Sequence, residues 1–325
     1  MKSIFTYLFV SFFAVSFAQN TPEHFCAKHK KQAWTNFNKA NFKSISGQEK
    51  YDLNYVKLEL DIDNISTEIY SAKTTLKGKV VGVSLDVFIL ELINNLIVDS
   101  AKINGNIVST NRIGDELQIF PSNSIANGQF FTAEVYYHGT QPNGGSVQGI
   151  FNSVSPSWGK RVTYTLSQPF GAPAWWPCKQ DLTDKIDSSE VWITVPDTLM
   201  AGSNGLLINE INLPNNKKRF EWKHNHAIDF YLISFSVADY QEYNFNVTLP
   251  NSQSVLVQNY VYDHPNLLNQ FQSDIDETGA MLIEFSNKYG IYPFANEKYG
   301  HCMAPFSGVY GTSNYDNTGV FLIEV

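Results

Sequence analysis

TYTLSQPFGAPAWWPCKQDLTDKIDSSEVWITVP, Thr163–Pro196, is the stretch on which the fold turns. Tyr164 and Leu166 open it with the spacing of a strand, and Val191, Ile193 and Val195 close it with the same period of two. Between them Gly171, Pro173 and Pro177 forbid a helix, because proline lacks an amide donor and its ring clashes with the preceding turn. The stretch therefore reads as a strand, a long constrained loop and a second strand. Connections that long and that rich in Trp and Pro usually present something, since an idle link is short and polar. Gln168 is the side chain to be presented. The plainer reading makes Trp175, Trp176 and Cys178 core fillers and Gln168 a surface amide; composition alone leaves both open.

Working outward, Val56, Leu58, Leu60 and Ile62 alternate with Lys57, Glu59 and Asp61, the pattern of a half-buried antiparallel strand. Short strand-like runs follow: LKGKVVGV, DVFILEL, IVDSAKI, NIVST, ELQIF and FFTAEVYY. Asn104-Gly105 between two of them is the strongest short hairpin signal, since both residues tolerate positive φ. Seven or more such strands with no amphipathic helix before Tyr164 predict an antiparallel sandwich or saddle. Downstream, MAGSNGLL predicts a turn, INEINL and KRFEWKHN a hairpin around Pro214-Asn215-Asn216, and AIDFYLISFSVADY one nearly continuous apolar strand. His224 and His226 are expected at the surface or its rim. VLVQNYVY predicts a further strand, and a helix with Pro265 in its first turn carries Leu267, Leu268, Phe271, Ile275, Met281, Leu282 and Phe285 at spacings of three and four.

Ser167 and Gln168, the Pro177-Cys178 pair and Lys185, seven residues after the cysteine, resemble the substrate-facing loop of the aminopeptidase N family of zinc metallo-aminopeptidases. The order of segments is similar too, from the opening Y-x-L-x-L-D strand to YGIYPFANEKYGHCMAPFSG near the end. The resemblance implies a mainly β fold: an antiparallel, saddle-like β-sandwich followed by the truncated α/β start of a thermolysin-like catalytic domain. It also implies that Gln168 helps hold the free α-ammonium of a peptide substrate, so that only the N-terminal residue is removed. An amide oxygen can accept from an ammonium, without the Coulombic gain of a carboxylate. The chain departs from the family where Pro173 and Ala174 replace its usual Arg, Gln180 its acid and Leu182 its Pro. It reads as a divergent branch.

After Ser307-Gly308 the family would continue into a Gly-x-Met-Glu-Asn type motif, yet Val309-Tyr310-Gly311-Thr312-Ser313 stands there. The zinc motif H-E-x-x-H, in which two His one helical turn apart ligate the metal and the Glu serves as base, is also missing. None of His24, His29, His138, His224, His226, His264 and His301 has a partner four residues away. No catalytic residue and no metal ligand is assigned to this chain, and zinc belongs to the full-length family. A chain that follows a family to Gly308 and then leaves it is expected to be the front of a truncated or frameshifted enzyme, inactive by itself. Leu267, Phe271, Leu282 and Phe285 would then face a core that is not there, and protease is expected to trim the chain back to near Tyr240. Ser167 lacks the G-x-S-x-G elbow of a nucleophile. Asp181, Asp184, Asp187 and Glu190 read as a solvated turn rather than an acid pair.

Address and partners come from the ends and the charge. Lys2, an apolar run from Ile4 to Phe17 and the small residues Ser16 and Ala18 form a signal-peptide pattern over residues 1–18, too short to span a bilayer. The mature chain is expected to be secreted or periplasmic, to begin at Gln19 and to hold no membrane span. Removing Lys2 and no acid leaves 22 basic against 31 acidic residues, which argues against nucleic acid and anionic membranes as partners. Peptides with a free N-terminus are the implied partners. Three cysteines allow at most one intrachain disulfide, and Cys178 is expected to be buried and unpaired. His24, Cys26 and His29 match no standard zinc spacing. The organisation predicted is a signal peptide (1–18), a leader (19–48), a β domain (49–240), the start of a metallopeptidase-like domain (241–308) and a divergent tail (309–325). The competing reading is a stand-alone secreted β-sandwich module that uses its Trp-rich loop to bind peptide or carbohydrate.

Overall fold

A computed structural model of the chain describes residues 45–141, 149–167, 169–305 and, as backbone, 318–323. The predicted signal peptide, nearly all of the leader, Gln168 and most of the tail lie outside the described residues.

β1 (Tyr51–Ile62) buries Tyr51 and Leu53, then Val56, Leu58, Leu60 and Ile62. The alternation changes phase at Asn54, where a bulge inserts one residue against the next strand. β2 (Glu68–Val80), β3 (Phe88–Glu91), β4 (Leu96–Ile103), β5 (Asn106–Ile113), β6 (Glu116–Phe120) and β7 (Phe130–Thr140) follow, with β4–β5 and β5–β6 as hairpins, β3 on β6, and β7 between β2 and β4. Asn104 and Gly105 turn the β4–β5 hairpin with φ of 50° and 81°, as their types predict. β8 (Gly149–Val154) and β9 (Arg161–Leu166) lead into the Trp-rich loop, which holds a single 3-10 turn at Ala172–Ala174 and ends at β10 (Ser188–Pro196). β11 (Met200–Ser203), β12 (Leu206–Leu213), β13 (Lys217–His224) and β14 (Phe235–Ala238) come next. The last described elements are β15 (Tyr240–Thr248), β16 (Ser254–Tyr262), helix α1 (Leu267–Tyr289), β17 (Lys298–Pro305) and β18 (Thr318–Ile323).

The strands form a ten-stranded sheet in the order β12-β13-β10-β1-β2-β7-β4-β5-β6-β3 and two four-stranded sheets, β11-β14-β9-β8 and β15-β16-β17-β18. The fold is mainly β and mostly antiparallel, as expected. Two pairs are parallel, β1 with β10 and β16 with β17. The second needs a crossover, and α1 supplies it. One continuous core runs from β1 through Trp175, Trp176 and Trp222 to Tyr260 and Leu267. A smaller core gathers Val247, Val255, Val257 and Leu282 beneath α1.

Several expectations are corrected. Of the apolar run 227–240, only Phe235–Ala238 forms a strand within it, and Tyr240 begins β15. Ile228, Phe230 and Ile233 are buried before it: Ile228 exchanges two backbone bonds with Ile186 as an isolated bridge, and further on Asn204 Oδ1 accepts from the Ser234 amide at 2.8 Å while Asn204 Nδ2 donates to the Leu232 carbonyl. Hydrophobicity reports burial, and here a side-chain amide supplies the partners that a ladder would. Met200–Ser203 is a strand ahead of the Asn204-Gly205 turn. A Cβ at Gly205 would fall 2.0 Å from the Lys223 carbonyl oxygen, so the close approach needs glycine. Helix α1 starts at Leu267 with Asn266 as N-cap, which leaves Pro265 outside it. Leu267 is buried in the main core and Leu282 in the smaller one beneath α1, so both find partners among the described residues, whereas Phe285 is 60 % exposed.

Candidate functional site

The loop that leads from Ser167 is held from three sides. Trp175 Nε1 donates to Ser167 Oγ at 2.9 Å, and the Gly171 amide donates to the Ser167 carbonyl at 2.7 Å. Tyr137 Oη donates to the Trp175 carbonyl at 2.9 Å. Glu91 and Cys178 exchange two backbone hydrogen bonds, at 2.8 and 3.0 Å. Trp175, Trp176, Pro177 and Cys178 are all buried, and the Trp175 ring meets Phe235 edge-on at 5.3 Å. For the tryptophans and the cysteine the plainer reading holds, since all three are core. Gln168, the predicted substrate-binding residue, lies outside the described residues; its neighbour Ser167 is buried, with its hydroxyl oxygen engaged by Trp175.

Cys178 and Cys302 are free, buried thiols, as expected for Cys178. Burial pushes the Cys302 thiol up to about 12 and raises that of Cys178 as well. The thiolate is the reactive form. A thiol reagent at pH 8 should therefore leave both unmodified in the folded chain and label both in denaturant; rapid native labelling of Cys178, or a mapped disulfide between the two, would contradict this.

The acidic residues after Cys178 do not form the solvated turn that the sequence suggests. Asp184 is buried and bonded to Lys179 Nζ at 2.5 Å, with side-chain exposures of 7 % and 5 %. Lys179 also donates to the Tyr51 carbonyl at 2.7 Å and sits 4.8 Å from the centre of the Tyr51 ring. Burial pushes the Asp184 carboxyl up, against the bond from Lys179. Asp181 and Asp187 behave as read: Asp181 accepts from the Thr183 amide and hydroxyl at an exposed turn, and Asp187 is exposed and accepts from Asn54 Nδ2 at 3.0 Å. Lys185, the last residue of the family-like pattern, is half exposed and faces Asp229 at 3.6 Å.

The β9 strand that leads into Gln168 is bonded to the strand that leads into Ser307-Gly308. Tyr164 Oη donates to the Pro305 carbonyl at 3.0 Å, and Tyr240 Oη donates to that of Met303 at 2.5 Å. The strands that lead into Gln168 and into Ser307-Gly308 are thus joined, although 141 residues separate Tyr164 from Pro305.

His224 is not at the surface. It is 1 % exposed, and its Nδ1 lies 2.7 Å from Glu297 Oε2. Burial opposes charge on Glu297, but the bonds from His224 and Asn225 outweigh it and hold the carboxyl below its usual range. His226, partly exposed, reaches Asn296 at 2.9 Å. Lys298 next door is buried, donates to the Ser203 carbonyl at 2.8 Å and lies 3.7 Å from the centre of the Trp222 ring; burial lowers its pKa to about 7. No sequence signal could pair His224 with a carboxylate 73 residues away. Separately, α1 and strands β16 and β17 border an apolar groove of about 900 Å³, lined by Phe285, Tyr289 and His301 among others.

A zinc ion does not fit these residues. His138 pairs with Asp99, His224 with Glu297, His301 with Asn259, and the His264 ring packs on Trp158, each in a separate place. Among the described residues no three His, Cys, Asp or Glu side chains converge as a metal site.

With this geometry in hand, the likeness to solved structures is specific. A mutant M1 zinc metallopeptidase from Deinococcus radiodurans matches with a TM-score of 0.68 at 22 % identity, over 81 % of this chain and 58 % of that one. The fold is that of the M1 zinc metallopeptidases. A mutant M1 enzyme from the same organism bound to a Tyr-Ser-Ala substrate matches at 0.67 and 21 % identity, and a two-domain M1 mutant bound to L-tryptophan at 0.66 and 22 %. The chain spans just under three fifths of these structures, 58–59 % of their length. The match falls on the N-terminal part of the M1 fold. No family model and no curated protein matches the sequence.

Proposed function

We propose that this chain is the N-terminal, substrate-recognition part of an exported, aminopeptidase N-like zinc metallopeptidase that removes N-terminal residues from peptides. The observation that carries the reading is the M1 fold over 81 % of the chain. Solved neighbours bound to L-tryptophan, L-arginine and Tyr-Ser-Ala favour ligands with a free amino group. Gln168 takes the role of acceptor for that group, on a loop whose root is pinned by the Trp175 to Ser167 bond. The metal and the activated water of such an enzyme require an H-E-x-x-H motif, which this sequence does not contain.

Two measurements test the reading. Translating the DNA after codon 325 in every frame should reveal a G-x-M-E motif and H-E-x-x-H; an unrelated gene there would favour a stand-alone module. In a chain extended through those motifs, Gln168→Ala should lower kcat/KM for free-amine peptides by about 1–2 kcal/mol, the scale of a hydrogen bond to a charged group. An unchanged constant would remove Gln168 from the site. The 325-residue chain itself should bind no stoichiometric zinc and release no alanine from an alanyl anilide.

A further inference from the structure

The open face of the ten-stranded sheet is largely a lattice of ion pairs. Lys73 bonds Glu59 and Glu134 at 3.4 and 2.8 Å, Lys57 bonds Glu59 at 3.4 Å, and Lys217 bonds Asp61 at 2.6 Å. One corner differs. Where β1, β2 and β7 run side by side, Asp52, Lys79 and Phe130 stand in one row across the sheet and Tyr55, Lys77 and Thr132 in the next. The Lys77 ammonium lies 4.8 Å from the centre of the Tyr55 ring, and that of Lys79 lies 5.7 Å from the centre of Phe130. Among the described residues no carboxylate comes within ion-pair distance of either lysine; Asp52, opposite Lys79, accepts instead from Asn54 Nδ2 at 3.2 Å.

Three further features make this corner a concave site. The bulge at Asn54 puts Tyr55 on the open face, beside Lys77. Phe130 is 71 % exposed, so its ring is open to a ligand beside the two lysines. Together with the β4–β5 turn these residues enclose about 470 Å³. Asn104 commits its Oδ1 to the Thr132 amide at 2.9 Å, which leaves its amide N–H groups as donors at the rim.

We infer that this corner binds an acidic saccharide, the Phe130 ring stacking on the apolar face of a sugar while Lys77 and Lys79 take its carboxylate or sulfate. A simple anion would need the lysines but not the exposed ring, and a neutral sugar would need the ring but not two cations without carboxylate partners. Both are present together. The whole chain is acidic, with a net charge of −8, so an anionic polymer is repelled by most of the surface and its binding has to come from a local cationic corner such as this one. This inference is independent of the peptidase reading.

The test is titration of the full chain with a hexameric oligogalacturonate and, in a separate arm, sulfated dextran, against neutral dextran and polyglutamate. Binding of the uronate identifies a carboxylate sugar, and binding of sulfated dextran alone identifies a sulfate. Lys77→Gln with Lys79→Gln, and separately Phe130→Ala, should each weaken that binding about tenfold or more while leaving Tm unchanged, because all three side chains are exposed. Equal binding of neutral dextran or polyglutamate, no binding in either arm, or full affinity in Phe130→Ala would overturn it.

Discussion

Trp175→Ala is expected to lower the unfolding free energy by about 3–5 kcal/mol, the cost of removing a large aromatic ring from a packed core. The ring has no exposed surface and packs edge-on against Phe235 and Trp176, at 5.3 and 6.1 Å. Its Nε1 donates to Ser167, so the deletion leaves a cavity and also releases the residue at the root of the loop. Trp192 provides the comparison. It stands on the open face between Lys57, 3.0 Å from the ring centre, and Arg219 at 4.7 Å, and it is half-buried. Trp192→Ala should cost markedly less. Urea denaturation of both variants decides the matter: equal losses would mean that the Trp-rich loop is not part of the core. A Trp175→Phe variant, which keeps most of the volume but loses the indole donor, should fall between wild type and Trp175→Ala.

Asp184→Ala is expected to cost about 3–5 kcal/mol, because it leaves the Lys179 charge buried without its partner. The pair is nearly inaccessible, and the Leu53 amide, at 3.3 and 3.4 Å from the two Asp184 oxygens, would lose its acceptor as well. Desolvation makes the intact pair a weak contributor, so Lys179→Met combined with Asp184→Leu should recover most of the loss. Chemical denaturation of the three variants is the measurement. A loss below about 1 kcal/mol in Asp184→Ala, the range of exposed pairs, would show that the pair is solvated in solution.

What could be read from the sequence is what the backbone imposes residue by residue. A strand turns its side chains over every residue and a helix every 3.6, so Leu58, Leu60 and Ile62 announced β1, and Leu267, Phe271, Ile275 and Leu282 announced α1, without reference to any partner. Asn104-Gly105 announced its hairpin because the turn needs positive φ at both positions. Burial of Cys178 followed from residue type and its Trp-rich neighbours. These are local properties, and each stood.

Contacts between distant residues carry no such periodicity. His224 read as a surface residue because KRFEWKHN alternates, and only the approach of Glu297 gives that ring a buried partner. Asp184 read as a solvated acid because Asp, Lys and Ser surround it in sequence, whereas Lys179 and the Leu53 amide surround it in space. The apolar run 227–240 read as one strand because hydrophobicity records that a residue is buried and not how its backbone is bonded, and Asn204 supplies those bonds to Leu232 and Ser234. The joining of β9 to the end of β17 through Tyr164 is likewise a product of sheet packing. Local geometry determined the elements of this protein; the pairing of its polar groups across the core, which depends on where the chain returns in three dimensions, was decided by the tertiary structure alone.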